Sequence, residues 1–189
     1  LKGGLSGLES STGIPGSLGG ALAMNAGAQG KEMKDITDAI TLLTPQAEVI
    51  EQNPGELRFT YRNLALPRGT VILKAVLKMK QSTRSILLDR IEKINRWRRR
   101  VQPLNLPSAG SVFKNPPGQS AGQLVEQAGL KGFTLGNAQI SDKHANFIVN
   151  RGGATAHDVL SLMDIMQNRV YKATGIQLEP ELCITGENG

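Results

Sequence analysis

One cysteine, Cys183, leaves no internal disulfide and no multi-cysteine metal site, which suits a reducing compartment. Two histidines, His144 and His157, are too few for a metal cluster, and no metal is expected. Aromatic residues make up only 4% of the chain, so little is available to stack on nucleic-acid bases. No run approaches the roughly 18 uninterrupted apolar residues of a membrane-spanning helix. Leu1 opens no charged-then-apolar leader. These absences argue against a membrane protein and make the cytoplasm the expected location.

What is present is a chain of 189 residues, 39% hydrophobic, enough to bury one good core or two small ones that share an interface. Lys and Arg number 22 against 16 Asp and Glu, a net charge of +6 that attracts anions, whether nucleic acid or a phosphorylated small molecule. The densest basic run, Arg96-Trp97-Arg98-Arg99-Arg100, closes an expected helix, where cations complement the negative end of the helix dipole.

Glycine punctuates the first thirty residues at positions 3, 4, 7, 13, 16, 19, 20, 27 and 30, which disfavours long regular elements there. Strand signals follow at Ile36 to Leu43, ended by Pro45, and at Val71 to Met79, with the polar turn Asn53-Pro54-Gly55 between them. Ser82 is placed to cap a helix carrying Ile86, Leu87, Ile91, Ile94 and Trp97 at helical spacing, expected to bridge two subdomains. Pro103 and Pro107 lead into a defined loop, Ser108-Ala109-Gly110-Ser111. A short helix is expected over Gly118 to Ala128. A long one is expected from Thr155 to Thr174, with Thr155 as cap, Asp158 three residues on, an apolar stripe through Val159, Leu162, Met163, Met166 and Val170, and Gly175 as stop. Strands at Asn146 to Asn150 and Leu178 to Thr185 would flank it, an α+β arrangement from Pro103 onward.

Three segments carry candidate chemistry. Gly13-Ile14-Pro15-Gly16-Ser17-Leu18-Gly19-Gly20-Ala21 sets glycines at intervals of three before a helix start, so that backbone amides face outward and a ligand can approach without a Cβ in the way. It has neither the G-x-G-x-x-G spacing nor a following Gly-Lys-Ser/Thr, so the Rossmann and Walker readings fail. A plain tight turn is the alternative. Ser111, followed by Val112-Phe113-Lys114-Asn115-Pro116, puts a hydroxyl beside a cation and an amide, although a serine in a Gly-Ser turn is usually structural and no G-x-S-x-G elbow surrounds it. Glu179-Pro180-Glu181 offers carboxylates on an edge strand, which solvation alone would also explain. Tyr61-Arg62 could clamp a carboxylate or form a surface ion pair. His144 reads as a hydrogen-bonded structural residue and His157 as exposed.

Taken in order, Gly7-Leu8-Glu9, GIPGSLGGA, Met24-Asn25-Ala26-Gly27-Ala28, FTYR, QPLNLPSAGSVFKNP, AGQLVEQAGLKG, KHANFIVN and LEPEL closely resemble the UDP-N-acetylenolpyruvoylglucosamine reductase (MurB) family, from Gly7 to Gly186. The resemblance implies an α+β fold: part of a two-subdomain FAD-binding domain of the PCMH/MurB type over residues 1–102, with a bridging helix, then a substrate-binding and catalytic α+β domain over 103–189. It begins part-way along the family, so these residues are expected to lack the N-terminal part of the flavin-binding domain.

The family reaction implied is NADPH reduction of bound FAD, followed by hydride transfer to an enolpyruvyl double bond, giving UDP-N-acetylmuramate for peptidoglycan. By resemblance, Ser111 would protonate the electron-rich carbon, with Arg62 and Glu181 stabilising the charge. Glu181 helps most if protonated or if it orients a proton-bearing group. Lys114 and Asn115 would meet the UDP-sugar, while Gly13, Ile14, Pro15, Gly16, Ser17, Gly19, Gly20 and Ala21 would face FAD. The positive charge then matches three phosphorylated anions. No protein partner is implied. The rivals are a nucleic-acid module, since Gly13-Ile14-Pro15-Gly16 is formally a GxxG loop but without Lys or Arg, and a flavoprotein oxidase, which leaves SAGSVFKNP and LEPEL unexplained.

Overall fold

The structure is a computed structural model that describes residues 3–186, and it divides into two compact units, Leu1–Trp97 and Arg98–Gly189. In the first, β1 (Leu5–Ser6) leads through a 3-10 turn at Glu9–Ser11 to the short helix α1 (Leu18–Ala23), and β2 (Gly27–Ala28) and β3 (Lys31–Glu32) form a small hairpin. Next come β4 (Thr37–Leu43), β5 (Val49–Gln52), β6 (Phe59–Thr60), β7 (Asn63–Leu64), β8 (Val71–Leu77) and β9 (Lys80–Gln81). The main sheet is antiparallel in the order β5-β4-β8, while β1 pairs with β9 and β6 with β7.

Central strand β4 owes its place to aliphatic and β-branched residues: Ile40 and Leu42 are fully buried and pack with Leu22, Met33, Leu57 and Leu64. A helix of six residues such as α1 is too short to persist unaided. Burial of Leu22 and the Ser17 cap, whose Oγ accepts from Gly20 N at 3.1 Å, hold it.

Helix α2 (Arg84–Val101) runs across the division between the units and is the expected amphipathic helix ending in arginines. Its cap is Thr83, whose Oγ1 accepts from Ile86 N at 3.4 Å, and not Ser82. Ser82 is committed elsewhere, its amide donating to Gly4 O at 2.8 Å to extend the β1–β9 pairing. Of the apolar positions on α2 only Leu87 is fully buried, and the ion pairs Lys93–Asp89 and Arg96–Glu92 lie on its solvated side.

The second unit contains β10 (Ser108–Ser111), α3 (Ala121–Gln127), β11 (Thr134–Leu135), β12 (Ala138–Ile140), β13 (Phe147–Asn150) and α4 (Ala156–Thr174). The sheet order is β10-β13-β12-β11, all antiparallel. Ala138, Ile140 and Ile148 share one core with Leu124 and Val125 of α3 and with Leu162, Met163, Met166 and Val170 of α4. The expected caps of α4 are in place: Thr155 and Asp158 form a reciprocal capping box, and Gly175 ends the helix at φ 72°.

Two further expectations are corrected. Residues 108–111 are a strand and not a loop, because their small side chains let them pair with β13 across a register shift. Residues 178–185 are not a strand: Pro180, which has no N–H to donate, makes one isolated bridge with Phe113 and the chain stays irregular on both sides. The hairpin β11–β12 had no strong sequence signal, since Thr134–Leu135 and Ala138–Ile140 are too short to establish alternation. Among the described residues no helix is long and apolar enough to cross a membrane.

Candidate active site

In the first unit, residues Gly13 to Ser17 form a largely exposed connection into α1. Gly16 adopts φ 125°, a conformation that side-chain-bearing residues avoid, and the space where its Cβ would stand is open. Ile14 is half-buried, while Gly13, Pro15, Gly16 and Ser17 are exposed; Gly19 and Gly20 lie in the first turn of α1, with Ala21 packed against the core behind them. The segment therefore exposes backbone without a Cβ at Gly13 and Gly16, just before α1.

Arg62 closes the β6–β7 hairpin as the second residue of the two-residue turn Tyr61-Arg62, at φ 58°. Its Nη2 donates to Gly27 O at 3.2 Å, and its guanidinium carbon lies 4.8 Å from the Tyr61 ring centroid, a cation–π contact. A planar fork held this way suits a carboxylate.

In the second unit, Ser111 ends β10, half-buried, directly opposite Phe147. Because strand residues alternate between faces, the pairing puts Ser111 on the side of Phe147, Val149 and Gln139, away from the face bearing α3 and α4. That side also carries a cleft of about 650 Å³, lined among others by Arg99, Leu104, Gln139, Asp142, Lys143 and Val149, which sequence reasoning did not find because its residues come from three separate segments.

Just past Ser111 the chain runs antiparallel to residues 179–181: Lys114 N donates to Glu179 O at 2.9 Å and Glu181 N to Val112 O at 2.8 Å. The Lys114 ammonium pairs with the Glu179 carboxylate. Asn115 Oδ1 accepts from Ala121 N at 3.0 Å at the start of α3. Ser111, Lys114, Asn115 and half-buried Glu181 thus belong to one joined pair of segments, while Arg62 and the glycine segment belong to the other unit.

A buried side chain that sequence reasoning passed over shapes this strand. Asn146, 3% exposed, donates to Phe113 O at 2.8 Å and accepts from Phe113 N at 3.0 Å. His144 supports it: its Nδ1 accepts from Asn146 N at 3.2 Å, and its ring meets Phe147 edge-on at 4.9 Å. Burial holds the His144 imidazole below its ordinary pKa, so the neutral form is favoured, with the proton on Nε2. His157 is exposed. Among the described residues no group of three or more His, Cys, Asp or Glu side chains could hold a metal ion.

Comparison with known proteins adds to this geometry. A family described as UDP-N-acetylenolpyruvoylglucosamine reductase, C-terminal domain, matches residues 102–185, and one described as FAD binding domain matches residues 1–53. UDP-N-acetylenolpyruvoylglucosamine reductase of Heliobacterium modesticaldum is 46% identical over 191 residues, an alignment that covers 100% of this chain and 61% of that protein. Its counterpart in Syntrophus aciditrophicus is 48% identical over 100% of this chain and 61% of its own length. The crystal structure of UDP-N-acetylenolpyruvylglucosamine reductase (MurB) from Thermus caldophilus superposes with a TM-score of 0.83 at 43% identity, covering 95% of this chain and 65% of that one. The chain thus spans about three fifths of the length of the curated relatives it matches.

Proposed function

The chain belongs to the UDP-N-acetylenolpyruvoylglucosamine reductase (MurB) family, and from that membership we propose that it serves the NADPH-dependent, FAD-mediated reduction of UDP-N-acetylglucosamine enolpyruvate to UDP-N-acetylmuramate in the cytoplasm. In this reading residues 1–102 are the second half of the FAD-binding domain with its bridging helix, and residues 103–189 bind the UDP-sugar and carry out proton delivery.

The residues present fit a flavin. The largely exposed Gly13–Ser17 segment, with open space at Gly16, would let a flat ligand approach the backbone there. Gly13, Ile14, Pro15, Gly16, Ser17, Gly19, Gly20 and Ala21 would hold FAD. When bound, FAD would supply hydride obtained from NADPH.

The chain's own residues do the rest. Hydride addition at the methylene carbon of the enolpyruvyl group leaves negative charge on the neighbouring carbon, delocalised into its carboxylate. Arg62, as a fork, binds that carboxylate and stabilises the charge. The Ser111 hydroxyl gives its proton to the electron-rich carbon and regains one from solvent. Serine is a weak acid, so placement is what makes the transfer effective. Glu181 hydrogen-bonds near the developing charge, and Lys114 and Asn115 meet the polar and anionic parts of the UDP-sugar.

The observation that carries the proposal is the antiparallel joining of residues 112–114 to 179–181, which brings the segment of the proton donor and the segment of Glu181 together. Its test is Ser111→Ala in the FAD-loaded enzyme. Flavin absorbance should still bleach with NADPH but should not recover on adding the enolpyruvyl substrate. Normal turnover by Ser111→Ala overturns the assignment.

A further inference from the structure

We infer that Asn25 is a positioning residue for Arg62, fixing the Tyr61-Arg62 turn so that the guanidinium is held ready for the substrate carboxylate. The inference rests on the reading of Arg62 given above.

Asn25 is 0% exposed, and a buried amide is tolerated only when its groups are hydrogen-bonded. Its Nδ2 donates to Thr60 O at 2.9 Å and to Glu32 Oε2 at 3.0 Å, while its Oδ1 accepts from Lys34 N at 3.0 Å. Glu32 is itself paired with Lys34 Nζ at 2.8 Å, which keeps its carboxylate in place as acceptor. Asn25 sits at φ 43°, in the left-handed region that asparagine tolerates better than most residues.

The bond to Thr60 is the informative one. It spans 35 residues of sequence and ends on the carbonyl immediately before the Tyr61-Arg62 turn. Arg62 at φ 58° occupies the left-handed region that is strained for an arginine, so the turn persists only where its surroundings impose it. Two residues beyond Asn25, Gly27 O accepts from Arg62 Nη2 at 3.2 Å. Gly27 has no freedom to carry a side chain, since a Cβ there would strike the Lys31 carbonyl. Residues 25–27 therefore grip the turn at two points, by its backbone at Thr60 and by the head of Arg62. An apolar residue of equal volume would fill the same space and supply neither donor. The placement of a buried amide there points to a demand on the turn's position as well as on packing.

The test is a double-mutant cycle in the FAD-loaded enzyme, with Asn25→Asp, Asn25→Ser, Arg62→Ala and Asn25→Asp combined with Arg62→Ala. Asn25→Asp keeps the acceptor for Lys34 N, removes both donors and sets a second carboxylate against Glu32; Asn25→Ser, smaller and neutral, loses the amide without adding that charge. Both should lower kcat/KM for the enolpyruvyl substrate by about 10- to 100-fold while flavin reduction by NADPH stays within about twofold. On the Arg62→Ala background, Asn25→Asp should change substrate reduction by less than about twofold, since its effect passes through Arg62. Equal losses on both backgrounds, or no loss on the wild-type background, overturn the inference. So does failure of both Asn25 variants to fold or to retain FAD, which would assign Asn25 to holding the whole unit. Full activity of Arg62→Ala removes the reading of Arg62 and this inference with it. An impaired Arg62→Ala beside unimpaired Asn25 variants removes the inference alone.

Discussion

The side-chain amide of Asn146 takes the place of a strand partner for Phe113, bonding both its N–H and its C=O at 3.0 and 2.8 Å. Phe113 is fully buried, so neither backbone group has water as an alternative. Asn146→Leu, close in shape, should therefore cost about 3 kcal/mol, the scale for two buried polar groups left unpaired. Urea denaturation of the variant measures it, and a loss below about 1 kcal/mol would mean that other groups satisfy Phe113.

A second consequence concerns acid. Burial raises the pKa of Glu9, but hydrogen bonds from the Ser6 hydroxyl, the amides of Gly7 and Glu9 and the Arg90 guanidinium outweigh it and bring the value from 4.5 to about 2. Between those values the unfolded chain binds the extra proton, so stability falls as the pH drops from 4.5 toward 2. Arg90→Met removes one of those donors, at 3.1 Å, and should raise the Glu9 pKa so that acid destabilisation begins at higher pH. Carboxyl NMR titration of Glu9 in both proteins checks the shift.

Histidine 144 gives a window near neutrality. Burial lowers its pKa in the folded state, so the unfolded chain takes up its proton first, and stability is fully present above pH 6.5 and declines below it. His144→Gln should flatten that dependence. Denaturant stability measured on either side of pH 6.5 in the two proteins decides it; an unchanged slope would place the dependence on another group.

Much of this was legible in the chain. The α4 helix could be read to the residue at both ends because Thr155, Asp158 and Gly175 act through local hydrogen bonds that sequence spacing encodes. Strands β4 and β8 were legible from segments rich in β-branched and aliphatic residues. What escaped depends on long-range partners. Ser108–Ser111 is a strand only because β13 offers a place beside it, and Leu178–Thr185 fails as one because Pro180 cannot donate. Asn25 and Asn146 are unremarkable as letters, since each acquires its role from carbonyls 35 and 33 residues away.

The role of Glu181 can be separated by charge and by hydrogen bonding. Its backbone is fixed by the bond to Val112 O, so substitutions of the side chain leave the segment in place. A charged carboxylate about 4 Å from a developing negative charge is repelled by about 4 kcal/mol at an effective dielectric constant near 20, which would slow the reaction it is meant to help. If Glu181 works by hydrogen bonding, Glu181→Gln removes that repulsion, keeps a polar partner of the same length, and should retain substrate reduction within about tenfold. Glu181→Leu keeps the volume without the hydrogen bond and should lose about 10²- to 10⁴-fold, the range of a general acid–base group. Flavin reduction by NADPH should be unaffected in both. Should Glu181→Gln prove as inactive as Glu181→Leu, the carboxyl group itself is required, and Glu181 exchanges a proton where the amide cannot.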